Sequence, residues 1–146
     1  MISPTAEYAL RAVVCLGNAA PEPQTNQQIA EATKVPPAYL SKVLQGLARA
    51  GIVRSQRGLG GGYTLLRDLD EVTVLEVVET VDPLRRIESC PLDLAGHGKN
   101  LCPLHRHLDG VIESVIEAFG DTTIGDLVRE PRSRRGCRFP LALRSR

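Results

Sequence analysis

The sequence predicts a mainly α fold with a small β-hairpin and a long C-terminal helix, and three features predict it. Between Pro4 and Leu47, apolar residues recur at helical spacing in three successive stretches. A glycine-dense run, Gln56-Arg57-Gly58-Leu59-Gly60-Gly61-Gly62, then sits between two short strand-like pieces. Further on, Leu108, Val111, Ile112, Val115, Ile116 and Phe119 form an unbroken i, i+3, i+4, i+7 stripe. Helix, short helix, helix and hairpin in that order is the plan of a winged helix-turn-helix, here followed by a candidate dimerisation helix.

Each element has a local reason. Tyr8, Ala9, Ala12, Val13 and Leu16 predict a first helix from about Pro4 to Asn18, with Pro4 where a missing amide costs nothing and Pro21 and Pro23 beyond its end. Thr25-Asn26-Gln27-Gln28 reads as a capping box, so a short helix over Asn26–Thr33 follows. After a break at Lys34 to Pro36, a third helix opens near Pro37, carries Leu40, Val43, Leu44 and Leu47 on one stripe, and stops at Gly51. Ile52 to Ser55 and Tyr63 to Leu66 are the strands, and the glycines between them suit a turn of unusual backbone angles. Thr73-Val74-Leu75-Glu76 is a second capping box, opening a fourth helix over Val74 to Val81 that Asp82-Pro83 closes. Glu88 to Pro103 has no periodicity and reads as a loop, His107 reads as a surface residue near the start of the long helix, and Thr123 to Val128 is a last short turn.

At 146 residues the chain suits one core with an appended arm. The net charge of +1 hides a segregation: residues 1–67 carry seven basic and three acidic side chains, 68–130 carry five and fourteen, and 131–146 carry six arginines and no acid. The expected organisation follows these cuts, with a DNA-binding region over 1–67, a linker helix, cysteine loop and dimerisation helix over 68–130, and a basic, disordered tail over 131–146. A basic front suits a polyanion, although solvated faces give the same count. No apolar run approaches the ~18 residues of a membrane span. Glu7 stands where a secretory leader would be basic, so a cytoplasmic location is expected. Cys15, Cys90, Cys102 and Cys137 are too sparse for a disulfide scaffold and point to metal or redox chemistry, with Cys15 expected as a buried structural thiol and Cys137 unassigned.

Tyr39, Ser41, Lys42 and Gln45 avoid the apolar stripe of the third helix, which frees them for phosphate and base edges; Pro37 and Ala38 lie at its N-terminus, where Ala38 is small enough to approach a thymine methyl. Thr25, Asn26 and Gln28 open the second helix, where free amides attract phosphate. Arg57 sits at the wing beside Gly58, Gly60 and Gly61, which let the backbone come close to a groove. The glycines lack the Lys-Ser/Thr of a nucleotide-binding loop. Tyr8-Ala9-Leu10-Arg11, Val35 to Leu44, and Arg57 to Leu65, with Val74 to Val81 and Thr123 to Leu127, resemble the Rrf-two family of bacterial transcriptional regulators over nearly all of the chain before Pro131. The resemblance implies a DNA-binding repressor and not an enzyme, with double-stranded DNA as partner and Arg57 as a minor-groove arginine; the stripe of Leu108, Val111, Ile112, Val115, Ile116 and Phe119, following a long loop, suits a homodimer interface, with packing inside its own chain as the alternative.

Cluster-binding members of that family hold an iron-sulfur cluster, 2Fe-2S or 4Fe-4S, with three cysteines and sometimes a histidine in the loop before the dimer helix. Cys90, Cys102 and His105 match that pattern, but Ala95-Gly96-His97 replaces the middle cysteine, leaving His97 as a weaker ligand candidate. Thiolates and imidazole also suit zinc. Four readings therefore stay open: an iron-sulfur cluster, zinc, a thiol switch, and a loop with no cofactor. Two other classes compete with the regulator: an adapter that docks a metabolic enzyme through the long helix, and a thiol oxidoreductase, for which the Cys-x-x-Cys spacing is missing.

Overall fold

Six helices and one hairpin make up residues 2–92, 96 and 100–130, the part that the computed structural model describes. In order these are α1 (Pro4–Ala19), α2 (Asn26–Thr33), α3 (Pro37–Arg49), β1 (Val53–Gln56), β2 (Gly62–Leu65), α4 (Val74–Val81), α5 (Pro103–Asp121) and α6 (Ile124–Arg129). The readings for His97, Cys137 and the 131–146 tail lie outside the described residues.

Helix starts follow local chemistry. Ser3 caps α1 through the Ala6 amide at 3.2 Å. Both expected capping boxes form: Thr25 and Gln28 satisfy each other's amides at the head of α2, as do Thr73 and Glu76 at the head of α4. A third box, Thr123 with Asp126, turns the expected last turn into α6. The long helix begins at Pro103, one turn before His107, because a proline at the first position needs no amide partner. The strands sit one residue from their expected frame, with Val53 opposite Leu65 and Gln56 opposite Gly62.

One core holds these elements. Leu16 from α1, Ile29 from α2, Leu40, Leu44 and Leu47 from α3, Val77 and Val78 from α4, and Ile124 from α6 are all fully buried, so the core draws on both sides of Arg67. Two non-local seams close it. Gln24 exchanges backbone hydrogen bonds with Tyr63, at 3.0 and 2.7 Å, which fastens the hairpin to the segment before α2. Val74 N–H donates to the Thr122 carbonyl and Ile124 N–H to the Val72 carbonyl, at 2.9 and 2.8 Å, so the starts of α4 and α6 are tied together.

Gly62 is required at the first seam. Its φ of 142° lies in glycine territory, and a Cβ there would come within 2.5 Å of the Gln24 carbonyl oxygen. Gly62→Ala is therefore expected to destabilise the fold by roughly 1–3 kcal/mol and to remove hydrogen-exchange protection from the Tyr63 and Gln24 amides; unchanged protection at both would count against this role.

Candidate nucleic-acid interface and cysteine site

α3 buries Leu40, Val43, Leu44 and Leu47 and exposes Pro37, Ala38, Tyr39, Lys42 and Gln45. Tyr39 is 59% exposed although aromatic. Its ring meets Tyr8 edge-on, with centroids 6.4 Å apart, while Arg11 lies 5.8 Å from the Tyr8 ring centre and donates to the Thr33 carbonyl that ends α2. Tyr8 thus braces the outer side of α3 from α1 while Arg11 ties α1 to the end of α2, contacts between residues too far apart in sequence for periodicity to reveal. Asn26 donates to Ser41 Oγ at 3.0 Å, and Ser41 donates in turn to the Pro37 carbonyl, so these two residues fix α2 against α3. The Thr25 and Gln28 side chains are engaged in their own capping box.

The hairpin tip, Arg57 to Gly60, is exposed, and Gly61 N–H closes its turn on the Gly58 carbonyl at 2.9 Å. Gly58 and Gly60 take φ values of 96° and 72°. Leu59 stands wholly in solvent at that tip, an apolar residue not counted as functional from sequence. Among the described residues, Lys42, Arg49, Arg54 and Arg57 make no ion pair, whereas Arg67, Arg86 and Arg129 pair with Glu76, with Asp109 and Glu113, and with Asp70. Among the described residues the cations of α3 and the hairpin are left unneutralised, whereas Arg67, Arg86 and Arg129 are held by carboxylates.

The cysteine site forms where α5 begins. Cys102 is the residue before α5, and His105 lies in its first turn. His105 Nδ1 is 3.1 Å from Cys102 Sγ and 3.7 Å from Cys90 Sγ, and all three donor atoms lie within 4.8 Å of one another. Cys90 is buried, the other two half-buried. The His105 backbone amide and then its imidazole hold the Cys102 thiol down to about 7. Donors about 2.0–2.3 Å from one tetrahedral ion sit within 4 Å or so of each other, so two thiols and an imidazole at this spacing fit a soft metal with a fourth position open. Cys15 is walled into α1, and burial pushes its thiol up to about 11. His107 is exposed, as expected.

Farther along α5, Leu104, Leu108 and Val111 are 60%, 43% and 48% exposed, while Ile112, Val115, Ile116 and Phe119 are half-buried. No residue of this helix is buried, though Phe119 touches the core. Its apolar stripe is thus only partly used by its own chain.

The family described as Rrf2, iron-dependent transcriptional regulator, matches residues 2–130. The chain is 36% identical over 139 residues to an rrf2-like HTH-type transcriptional regulator of Rhodobacter capsulatus, covering 88% of this chain and 92% of the relative. Among solved structures it is similar to CymR, the global cysteine regulator of B. subtilis, with 27% identity, a TM-score of 0.73 and coverage of 88% and 95%. It shares the fold of IscR from T. potens, with 20% identity, a TM-score of 0.74 and coverage of 94% and 93%.

The thiols should separate chemically. A group held near 11 is protonated at pH 8 and one near 7 is mostly thiolate, so iodoacetamide at pH 8 is expected to label Cys102 well before Cys15, with Cys15 reacting only after denaturation. Peptide mapping that found Cys15 labelled first in the native protein would contradict the burial argument.

Proposed function

The chain belongs to the Rrf2 family and is a DNA-binding transcriptional regulator, not an enzyme; from that premise we propose that it represses as a homodimer on a near-palindromic operator in the cytoplasm. One α3 lies in the major groove of each half-site, and half-sites stand one helical turn apart or a multiple of it. The observation that carries this reading is the exposed, unneutralised side of α3 beside an exposed glycine turn. Gln45 and Tyr39 face base edges, Lys42 and Arg54 face phosphate, and Ala38 leaves room for a thymine methyl. Arg57 enters the adjacent minor groove, where the absence of side chains at Gly58 and Gly60 allows close approach. Asn26 and Ser41, bonded to each other, act chiefly by setting the angle at which α3 is presented.

The second copy covers the α5 stripe. Leu104, Leu108 and Val111 are more apolar surface than a monomer needs in one line, and a two-fold interface would pair the stripe with itself.

Cys90, Cys102 and His105 serve as the sensory site, with an iron-sulfur cluster as the first reading, because thiolates with one imidazole are the donors such clusters take. Bound there, a cluster supplies a redox-sensitive group that ties the 86–90 segment to the head of α5. Zinc is the second reading, favoured by the closeness of the three donor atoms.

A gel shift on the chain's own upstream DNA tests the main reading. Binding should fall with salt, Arg57→Ala should weaken it, and Lys42→Ala should flatten the salt slope by about one unit; no shift in any redox or metal state would refute a role at that operator. Val111→Glu is expected to give a monomer by sedimentation and to lose operator binding. Anaerobic purification should yield a coloured protein with iron and labile sulfide that Cys90→Ala lacks, while a colourless product with stoichiometric zinc would select the second reading.

A further inference from the structure

His105, Asp109 and Glu113 stand at i, i+4 and i+8 on α5, so they share one face, each about 6 Å above the last. The lower end of that face belongs to the cysteine site, and the upper end is gripped by Arg86. Arg86 bonds both carboxylate oxygens of Asp109, Nε to Oδ1 at 2.7 Å and Nη2 to Oδ2 at 2.6 Å, and reaches Glu113 with Nη1 at 2.8 Å. The neighbouring Ile87 amide donates to Asp109 Oδ1 at 2.9 Å. Four residues after Arg86, Cys90 is buried against His105.

We infer that Arg86 is a positioning residue for the cysteine site: with Asp109 and Glu113 it locks the 86–90 segment along α5, and this holds Cys90 over Cys102 and His105. The inference deepens, and rests on, the reading of these three residues as a ligand site. Cys102 and His105 need no such help, since they lie within one turn of the same helix. Cys90 arrives from a segment with no secondary structure, and among the described residues the Arg86 cluster is the polar anchor between that segment and α5. A single exposed ion pair contributes little and would not order a loop. Here three guanidinium bonds and a backbone amide converge on two carboxylates, and the Asp109 side chain is only 14% exposed. The Arg86 guanidinium and then the Ile87 amide hold the Asp109 carboxyl down at about 2, so Asp109 stays charged throughout the physiological range. Lysine could not replace it, because an ammonium has no planar fork to span both oxygens.

The test uses the full chain and its Arg86→Ala, Arg86→Lys and Asp109→Asn variants, reduced and metal-free, with circular dichroism to confirm folding. Alkylation of Cys90 by iodoacetamide, followed by peptide mapping, should speed up about tenfold or more in Arg86→Ala and Asp109→Asn, with Arg86→Lys close to Arg86→Ala. Cobalt(II) titration is the second readout: the parent chain should show thiolate-to-cobalt charge transfer from two thiolates, and Arg86→Ala should bind about 10–100-fold more weakly with the intensity of one. Unchanged Cys90 alkylation in the folded Arg86→Ala and Asp109→Asn variants would overturn the positioning role. Failure of the parent chain to bind cobalt would overturn the ligand reading alone, and the alkylation rates would still decide for or against the clamp.

Discussion

The thinness of α1 is the constraint on which the rest of the structure depends. Ala6, Ala9 and Ala12 are fully buried, and at Gly17 a Cβ would lie 2.9 Å from Leu69 and 3.0 Å from Val128. A helix that presents small residues at these points lets α3, α4 and α6 pack on it together, each contributing larger side chains to fill the space. This packing consumes the apolar stripe of α3 and leaves its polar side outward. The same helix reaches that side through Tyr8, whose ring meets Tyr39, so the exposed side of α3 is braced from α1.

Charge is organised by pairing as well as by position. Arg86 and Arg129 are satisfied by carboxylates of the acidic half, and Arg67, at the end of the basic front, crosses to Glu76 on α4. In the front, Arg11 pairs with Glu7, but Lys42, Arg49, Arg54 and Arg57, on α3 and the hairpin, have no carboxylate partner among the described residues. That part of the surface keeps its positive charge, while residues 68–130 carry an excess of acid.

How far the sequence could be read differs between the two sites. The residues proposed to face DNA were legible because α3 has a clean 3.6-residue stripe, so what is off the stripe must be exposed; Tyr39, Lys42 and Gln45 are. Thr25, Asn26, Gln28 and Ser41 were harder, since the same hydroxyls and amides that suit phosphate also suit caps and helix contacts, and the fold uses them in that way. Cys90, Cys102 and His105 could be picked out by their resemblance to the family's ligand pattern, but their meeting within 4.8 Å depends on a contact between Arg86 and residues 23 and 27 positions away, for which no periodic signal exists. Leu59 at the hairpin tip and Leu104 on α5 escaped for the opposite reason: an isolated leucine in a sequence says nothing about exposure.

Local chemistry, written in the chain itself, decided where helices begin and which face of each is apolar, because caps and stripes involve residues three or four apart. The order of helix, turn, helix and glycine hairpin suggested the class of protein, and the resemblance of Tyr8 to Arg11, Val35 to Leu44 and Arg57 to Leu65 to the Rrf-two family sharpened it. Only the folded arrangement decided the rest: the seam of Gln24 with Tyr63, the return of α6 onto α1, the gathering of two thiols and an imidazole, and the incomplete burial of α5. Each of these joins segments whose separation along the chain is large, and such contacts are chosen by competition among all surfaces for the same core, which no single stretch of sequence contains.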